Sequence, residues 1–542
     1  MTAVADATRG GAGVPQRRGS GQLAGTGTLL RLALRRDRVM VPLWVLFLGG
    51  TTASSAGTLG EIYGTQAERA GVVTSIAANS SLRSLYGPVF DDSLGAIVTW
   101  RYLAFMAAFA AIMSLLIVVR HTREEEETGR QEMLSAAMVG RRAPLTAALL
   151  VALIANAGIA LLVTLGLAGE GAGGALALGL AIGGVGMVFA TMAAMMAQLT
   201  ETARLAKGLT AAVLGLAWVL KAAGDAAADD ASHVLTWLSP IGWAENLRAF
   251  AGERWWVLGL IAAAAVVQGV LAYTLAGRRD IGMSFLPARP GPADGRLSSA
   301  GGLAWRLQRG SLLGWGIGFL LTGVMFGGMT EGAADLVGDN RQTKEMLTRL
   351  GGQAGVTDAF LSAMVSMLGM VAAVYIVQSV LRLNGEETSQ RGEPVLAGAV
   401  GRVRWAAGHL VIAFGGAALL MLLAGLGLAL GHGKQPAAVL GGCLVLVPAI
   451  WLIGAVAVLV YGLVPRAAVL GWAYAGLSLA LGWLGAAFNL PDWALKISPF
   501  AHLPKLPGHA MEWGPFAVLL LLAAAGTAVG LAGLRRRDIQ TG

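Results

Sequence analysis

The chain has 542 residues, of which 56% are hydrophobic and 13% charged, whereas an average soluble domain is about half apolar and about a quarter charged. Uninterrupted apolar runs of about 20 residues, each long enough for one membrane helix, exclude a string of soluble domains and predict an all-α integral membrane protein. The net charge of +9 is explained by Lys-rich and Arg-rich cytoplasmic loops, so we expect no nucleic-acid partner. The single Cys443 excludes an internal disulfide.

The first half of the chain contains six apolar runs. Residues 1–27 are rich in Gly, Ala, Ser and Arg, which predicts a disordered cytoplasmic tail. Residues 29–38 alternate Leu with Arg, a pattern typical of a basic amphipathic helix on the membrane surface. The runs that follow predict a six-span half at 28–285, with spans at roughly 39–57, 94–119, 144–168, 175–199, 208–223 and 255–276.

The second half repeats this plan. A stretch at 286–302 is rich in Pro and Gly and predicts a cytoplasmic linker. The second six-span half is expected at 303–542, and it begins with a shortened basic stretch at 304–309. Its spans are predicted at roughly 311–329, 358–381, 408–430, 437–463, 467–488 and 514–534.

Short motifs recur in the same order in both halves. Segments 278–281 and 536–539 both read RRDI, and Ser-Pro follows both Leu238 and Ile497, which indicates an internal duplication. Most of the 40 lysines and arginines fall on one side of the predicted spans, which places both termini in the cytoplasm and the chain in the cell membrane. Six is an even number, so we predict twelve transmembrane helices as two parallel repeats.

A charged island lies between the second and third spans at 122–142, where the sequence reads TREEEETGRQEMLSAAMVGRR. A related island at 385–404 lies between the eighth and ninth spans. In the first island, Thr122 with Glu125 and Thr128 with Gln131 fit the capping-box pattern, which predicts a short helix with an acidic start. A solvated charge run without a partner is the alternative, but its repetition favours a docking surface.

The two islands, the twelve predicted spans and the Ser-Pro segments before the sixth and twelfth spans together match a known pattern. In these features the chain resembles the permeases of bacterial ABC-2-type exporters, in particular the actinobacterial polyketide-antibiotic exporter group. The resemblance covers nearly all of 28–542. It implies that the islands form coupling helices seated in an ATPase subunit, that 29–38 is a connecting helix, and that re-entrant helices precede the last span of each half.

The resemblance also implies which residues couple the chain to the ATPase. They are Glu124, Glu125, Glu126, Glu127, Gly129, Arg130 and Glu132 in the first half, and Glu386, Glu387, Glu393 and Arg402 in the second. Pro394 is expected to interrupt the start of the second coupling helix, so weaker coupling is expected there.

The chain lacks a phosphate-binding loop, since its nearest string, GHGKQ at 431–435, has no Ser or Thr after the Lys. We therefore expect no enzyme and no cofactor here, with ATP and Mg bound by a soluble ATP-binding-cassette subunit, two copies per chain. The six His show no metal-binding spacing. Lys221 and Arg101 are the charges nearest the predicted membrane interior and are expected to snorkel to the outer surface.

We therefore predict the permease subunit of an ATP-binding-cassette exporter that moves an apolar or amphipathic small molecule, antibiotic or drug-like, out of the cell. One alternative is a proton-driven secondary exporter of the major facilitator type, against which the lack of carboxylates in the middles of the predicted spans argues. A membrane-embedded enzyme acting on lipids is a second alternative, and no cluster of His, Asp or Ser supports it.

Overall fold

A computed structural model of the protein describes residues 21–130, 139–227, 233–280, 282–285, 297, 299–330, 356–484 and 491–538. Every regular element within these residues is helical. The chain forms two compact units, Met1–Pro290 and Gly291–Gly542. Ten of the described helices are long and apolar enough to cross a membrane. The protein is therefore an all-helical, multi-pass membrane protein.

The first unit is built around long apolar helices joined by short ones. Its helices are α1 (Thr26–Arg36), α2 (Met40–Ile62), α3 (Gln66–Ala78), α4 (Ser80–Tyr86), α5 (Leu94–His121), α6 (Arg123–Glu127), α7 (Ala143–Leu167), α8 (Ala172–Leu199), α9 (Ala203–Ala227), α10 (Val234–Trp237), α11 (Pro240–Asn246) and α12 (Trp256–Arg278). The five candidate spans are α5, α7, α8, α9 and α12. Helix α8 is the most buried of the five, and it contacts α5, α7 and α12.

The predicted basic helix and the predicted first span form a bent pair. Helices α1 and α2 meet at an angle of 69°, and together they pass as one further candidate span. Asp37 lies at the bend with its carboxylate buried, 2.9 Å from Arg120 Nη1 and 2.6 Å from His121 Nε2. Because both partners end α5, this contact fixes the bend against the membrane helix that precedes the first island.

Closely spaced glycines let the long helices approach one another. A methyl group on Gly179 of α8 would lie 2.5 Å from the carbonyl oxygen of Ala160 in α7. Gly183, one turn later, is equally restricted by the backbone of Asn156. Small residues at this spacing are typical of tight contacts between membrane helices, and the structure places this pair in such a contact.

The second unit has the same kind of architecture. Its helices are α13 (Ala300–Gly328), α14 (Val356–Thr388), α15 (Glu393–Leu396), α16 (Arg402–His432), α17 (Pro436–Val445), α18 (Val447–Leu463), α19 (Val469–Leu484), α20 (Asp492–Leu495) and α21 (Trp513–Arg536). The candidate spans are α13, α14, α16, the joined pair α17–α18, and α21. Helix α19 has 16 residues, and the residues that follow it at 485–490 lie outside the described ranges.

Two predicted elements differ from the structure. The fifth span was predicted as short, at 208–223, but α9 has 25 residues and extends beyond both predicted ends. Helix α13 begins at Ala300, where the Ser299 side chain accepts a hydrogen bond from Gly302 N. The basic stretch at 304–309 is therefore the first part of a long span and not a separate surface helix.

Candidate functional site

The first island begins with a sharp turn at Thr122 between α5 and α6. The predicted capping box of Thr122 with Glu125 is wrong, because Thr122 Oγ1 donates to Val118 O at 2.6 Å and caps no amide. Thr128 Oγ1 likewise donates to Glu124 O, at 3.0 Å. Residues 131–138, which include Gln131 and the predicted coupling residue Glu132, lie outside the described ranges.

Glu126 is held inside the first unit by two arginines. Its side chain is 5% exposed, and its carboxylate pairs with Arg123 of the same short helix and with Arg279, which follows α12. Arg279 Nη1 donates to Glu126 Oε2 at 2.8 Å. Arg123 is itself buried and its Nε donates to Glu201 O at 2.8 Å. Glu126 therefore joins the loop after the second predicted span to the end of the sixth.

The remaining carboxylates of the acidic run reach two other helices, α1 and α9. Glu124 pairs with Lys207 of α9, and Glu127 accepts a hydrogen bond from Ala203 N at 2.9 Å, at the start of the same helix. Glu125 pairs with Arg36 of α1 and, at 3.5 Å, with Arg130. A carboxylate at a helix N-terminus is favourable because it complements the helix dipole. The acidic run thus connects α1, α9 and α12 beneath α5.

Gly129 follows α6 with a φ of 70°, a left-handed conformation that favours glycine. It turns the chain after Thr128, and the side chain of Arg130 that follows is 52% exposed. Among the predicted coupling residues of the first half that the structure describes, Glu126 is therefore enclosed. The others lie at the surface of the island.

Glu387 takes the same role in the second unit. Helix α14 continues without a break to Thr388, so Glu386 and Glu387 lie in its last turn. The Glu387 side chain is 4% exposed, and its two oxygens accept from Arg537 Nη1 and Nη2 at 2.6 and 2.7 Å. Arg537 follows α21, the last helix of the unit. This two-point pairing matches the planar guanidinium to the carboxylate.

The other predicted residues of the second island lie around this pair. Glu386 is 3.6 Å from Arg382 and 3.7 Å from Arg391, and Glu393 is exposed at the start of α15. The expected interruption by Pro394 is wrong, because this residue lies in the first turn of α15. Proline is tolerated there, since an amide in the first turn has no partner within the helix.

A second arginine completes the contact in each unit. Arg141 donates to the carbonyl oxygen of Arg279 and lies 4.0 Å from Asp280. Arg402 donates to the carbonyl oxygen of Arg537 and lies 4.0 Å from Asp538. We call these sets the first clamp (Glu126, Arg141, Arg279 and Asp280) and the second clamp (Glu387, Arg402, Arg537 and Asp538).

The two clamps use residues that the sequence repeat aligns. The interval is 261 residues both from Glu126 to Glu387 and from Arg141 to Arg402, and RRDI supplies Arg279 and Arg537. The sequence alone predicts a partner-facing role for Glu126 and Glu387 and predicts no role for Arg279 and Arg537. The RRDI repeat was the signal, but nothing local in the sequence shows which carboxylate each arginine reaches.

A buried charged cluster lies at the other end of α9. The expectation that Lys221 snorkels to the surface is wrong, because its side chain is fully buried, with Nζ 3.2 Å from Asp225 Oδ2 and 3.0 Å from Glu245 Oε1. Buried charges need such compensation. Arg101, by contrast, is exposed and lies over the Tyr86 ring, 4.5 Å from its centroid.

The short helices before the last span of each unit are also present. In the first unit, Ser239 caps α11 by accepting a hydrogen bond from Gly242 N at 3.4 Å, and α11 is largely buried. In the second, α20 and a single 3-10 turn at Pro499–His502 occupy the corresponding segment.

Among the described residues, no group of three or more His, Cys, Asp or Glu could hold a metal ion.

Comparisons with known proteins agree with this architecture. Residues 297–535 match a family model described as the C-terminal domain of the multidrug efflux system permease Rv1217c. The chain is also similar to the multidrug efflux system permease protein Rv1217c of Mycobacterium tuberculosis (strain ATCC 25618 / H37Rv). The two are 42% identical over 536 residues, which cover 96% of each chain.

Proposed function

Because the chain belongs to the family of ABC-type exporter permeases that includes the multidrug efflux system permease Rv1217c, we propose that it is the membrane subunit of an exporter of small molecules. The substrates proposed are apolar or amphipathic, antibiotic or drug-like compounds. The observation that carries this proposal is the match over almost the whole chain to a permease named for multidrug efflux.

We propose that a soluble ATP-binding-cassette ATPase supplies the energy, binding ATP and Mg outside this chain. The two islands support two docking points and so two ATPase copies per chain. Since Glu126 and Glu387 are enclosed by arginines of the same chain, their proposed coupling role is to hold the island in place. The surface residues of the islands, such as Glu127, Arg130 and Glu393, are left to touch the ATPase.

We further propose twelve spans in two parallel repeats, with both termini and both islands in the cytoplasm. Ten candidate spans, the bent pair α1–α2 and the shorter α19 supply twelve segments. The matching clamps support the repeat, because each joins the segment after the second span to the end of the sixth span in its own unit.

The test is a reconstitution with the ATPase. The purified chain alone should hydrolyse no ATP, and with its ATPase it should form a complex of two ATPase copies per chain that exports drug-like compounds into inside-out vesicles. A variant ATPase unable to hydrolyse ATP is the control and should abolish export. Hydrolysis by the chain alone, or a complex with one ATPase copy, would contradict the proposal.

The same vesicles separate the alternatives. The buried carboxylates Asp225 and Glu245 are an observation that favours a proton-driven exporter, although Asp225 lies near the end of its helix and Glu245 in a short helix between spans. Export driven by a proton gradient without ATP would establish that alternative. Export that requires ATP and persists when the gradient is dissipated would exclude it.

A further inference from the structure

The cluster of Lys221, Asp225 and Glu245 has one more negative than positive charge if all three groups are ionised. Lys221 is fully buried, Asp225 is 3% exposed and Glu245 is 6% exposed. Burying an uncompensated charge in a protein interior is costly, and a carboxyl group usually avoids the cost by taking a proton. Charge balance therefore requires one additional positive charge at this place.

Counting hydrogen-bond donors leads to the same requirement. An ammonium group has three N–H bonds, but four acceptors surround Lys221 Nζ. These are Ser84 O at 3.4 Å, Leu85 O at 3.2 Å, Asp225 Oδ2 at 3.2 Å and Glu245 Oε1 at 3.0 Å. As an ionised acceptor, Glu245 Oε2 would be buried without a hydrogen-bond donor, so the lysine alone does not satisfy the cluster.

The two carboxyl groups also meet at the same ammonium group, since Lys221 Nζ lies 3.2 Å from Asp225 Oδ2 and 3.0 Å from Glu245 Oε1. Ionised carboxylates only accept hydrogen bonds, so two of them can bond to each other only when one carries a proton. We propose that the Asp225–Glu245 carboxyl pair is a binding site for one exchangeable proton, held against Lys221.

The surroundings of Glu245 support this assignment. Burial, and after it the charge of Asp225, raises the pKa of Glu245 well above its ordinary value, although Lys221 opposes the shift. Gly87 has a φ of 94°, and a methyl group there would lie 2.7 Å from Glu245 Oε1. The glycine therefore lets the backbone close over the carboxyl group and keep water away from it.

Other ionisable groups lie on the elements packed around α11. Helix α8 carries none. The others, taken element by element, are Arg83 and Tyr86 of α4, Arg101, Tyr102, Arg120 and His121 of α5, Arg204, Lys207, Lys221 and Asp225 of α9, His233 before α10, Arg248, Glu253 and Arg254 after α11, and Tyr273 and Arg278 near the far end of α12. Arg83 Nε donates to the backbone oxygen of Asp225 at 3.2 Å, and Arg248 lies over the Phe90 ring. The positive charge of Arg83 lies near Asp225, but neither guanidinium forms an ion pair with Glu245 among the described contacts.

A small cavity lies beside Glu245. Glu245 lines a small pocket of about 20 Å³ together with Tyr86 and Trp100, which is large enough for one water molecule. Because Glu245 belongs to α11 while Lys221 and Asp225 belong to α9, a movement of α11 away from α9 would expose the carboxyl group to water. Such a movement would release the proton at neutral pH.

Infrared spectroscopy of the purified full chain in lipid nanodiscs tests the proposal. At neutral pH the wild-type protein should show the absorption of a protonated carboxyl group that is lost in Glu245→Gln and in Asp225→Asn. In either variant the remaining carboxylate pairs with Lys221 and needs no proton. Glu170→Gln, which removes an exposed carboxylate from a turn, is the matched control and should keep the absorption.

Three results would overturn the proposal. They are a wild-type spectrum without a protonated carboxyl group at neutral pH, an absorption that survives in both cluster variants, and an absorption that sodium ions suppress, which would identify a metal-cation site. A wild-type spectrum without the absorption overturns the proposal even if the variants fail to fold. The measurement involves neither the ATPase nor transport, so its outcome is separate from that of the proposed export function.

Discussion

At the scale of single residues, the buried ion pairs have the largest predicted effects. In both units an arginine at the end of the last helix meets a carboxylate that is almost completely enclosed. Removing one partner of a buried pair leaves an uncompensated charge and typically costs about 3–5 kcal/mol, whereas an exposed pair contributes about 0–1 kcal/mol. This difference determines which substitutions we expect to be harmful.

Glu126→Ala should therefore destabilise the first clamp, because it leaves both Arg123 and Arg279 without their carboxylate. We expect ATPase stimulation and export to fall together at equal expression, measured in the reconstituted vesicles. Glu170→Ala is the control, since Glu170 is an exposed carboxylate in a turn outside both islands. Normal export by Glu126→Ala would show that the clamp has no part in coupling.

Glu387→Ala should be as harmful as Glu126→Ala. The sequence alone predicts a milder effect in the second half, but Glu387 makes the two-point contact with Arg537 and is equally enclosed. The exchange variant that combines Glu387→Arg with Arg537→Glu should restore part of the export lost in either single variant. Absence of any rescue would mean that these residues act separately.

Lys221→Met should destabilise the first unit by about 3–5 kcal/mol, because it leaves Asp225 and Glu245 buried without their cation. Denaturant unfolding in detergent measures this, and Lys207→Met is the control, since Lys207 is 34% exposed and pairs at the surface.

For Glu245 the raised pKa means that the folded state binds a proton more readily than the unfolded state. The stability gained from this bound proton is complete below the ordinary glutamate pKa and is lost as the pH rises towards the raised pKa of Glu245. The loss of unfolding free energy in Lys221→Met should therefore grow as the pH rises.

At the scale of helices, two glycines of α16 differ in how closely another helix approaches them. On α16, a methyl group on Gly431 would overlap the carbonyl oxygen of Val324 in α13, while one on Gly415 would meet nothing within 4 Å. The same substitution at these two positions therefore separates packing from helix propensity.

We expect Gly431→Ala to destabilise the second unit by about 1–3 kcal/mol through overpacking. Gly415→Ala should be neutral or stabilising by about 0.4–1 kcal/mol, since alanine restricts the unfolded chain. Thermal unfolding of both variants in the same detergent measures the difference. Equal effects of the two substitutions would contradict the close contact of α13 with α16.

The helices were easier to predict than the contacts between them. Long apolar runs identify most spans because twenty successive apolar residues carry the signal locally, and the pair Gly179 and Gly183 could be read in the same way. The clamps could not be derived, because Arg279 lies 153 positions from Glu126. Thr122 shows a further limit: its hydroxyl fits a capping pattern but bonds to the preceding helix.

At the scale of the whole molecule, topology is the property that the charges predict and that labelling can measure. In a Cys443→Ser background, Thr128→Cys should react with a membrane-impermeant reagent only from the cytoplasm, and Thr65→Cys only from outside. Both residues are exposed and lie beyond opposite ends of α5. Labelling of both from one side would exclude the twelve-span arrangement.

The charged cluster beneath α11 is not duplicated with the rest of the chain. Under the offset of 259 that aligns Ser239 with Ser498, Lys221 falls on Ala480 and Glu245 on Pro504. A transporter assembled from two copies of a half-length gene would carry the cluster twice or not at all. Because both halves are encoded in one reading frame, the first half can keep the charged cluster while the corresponding positions of the second half become uncharged. Selection can therefore act on each half independently.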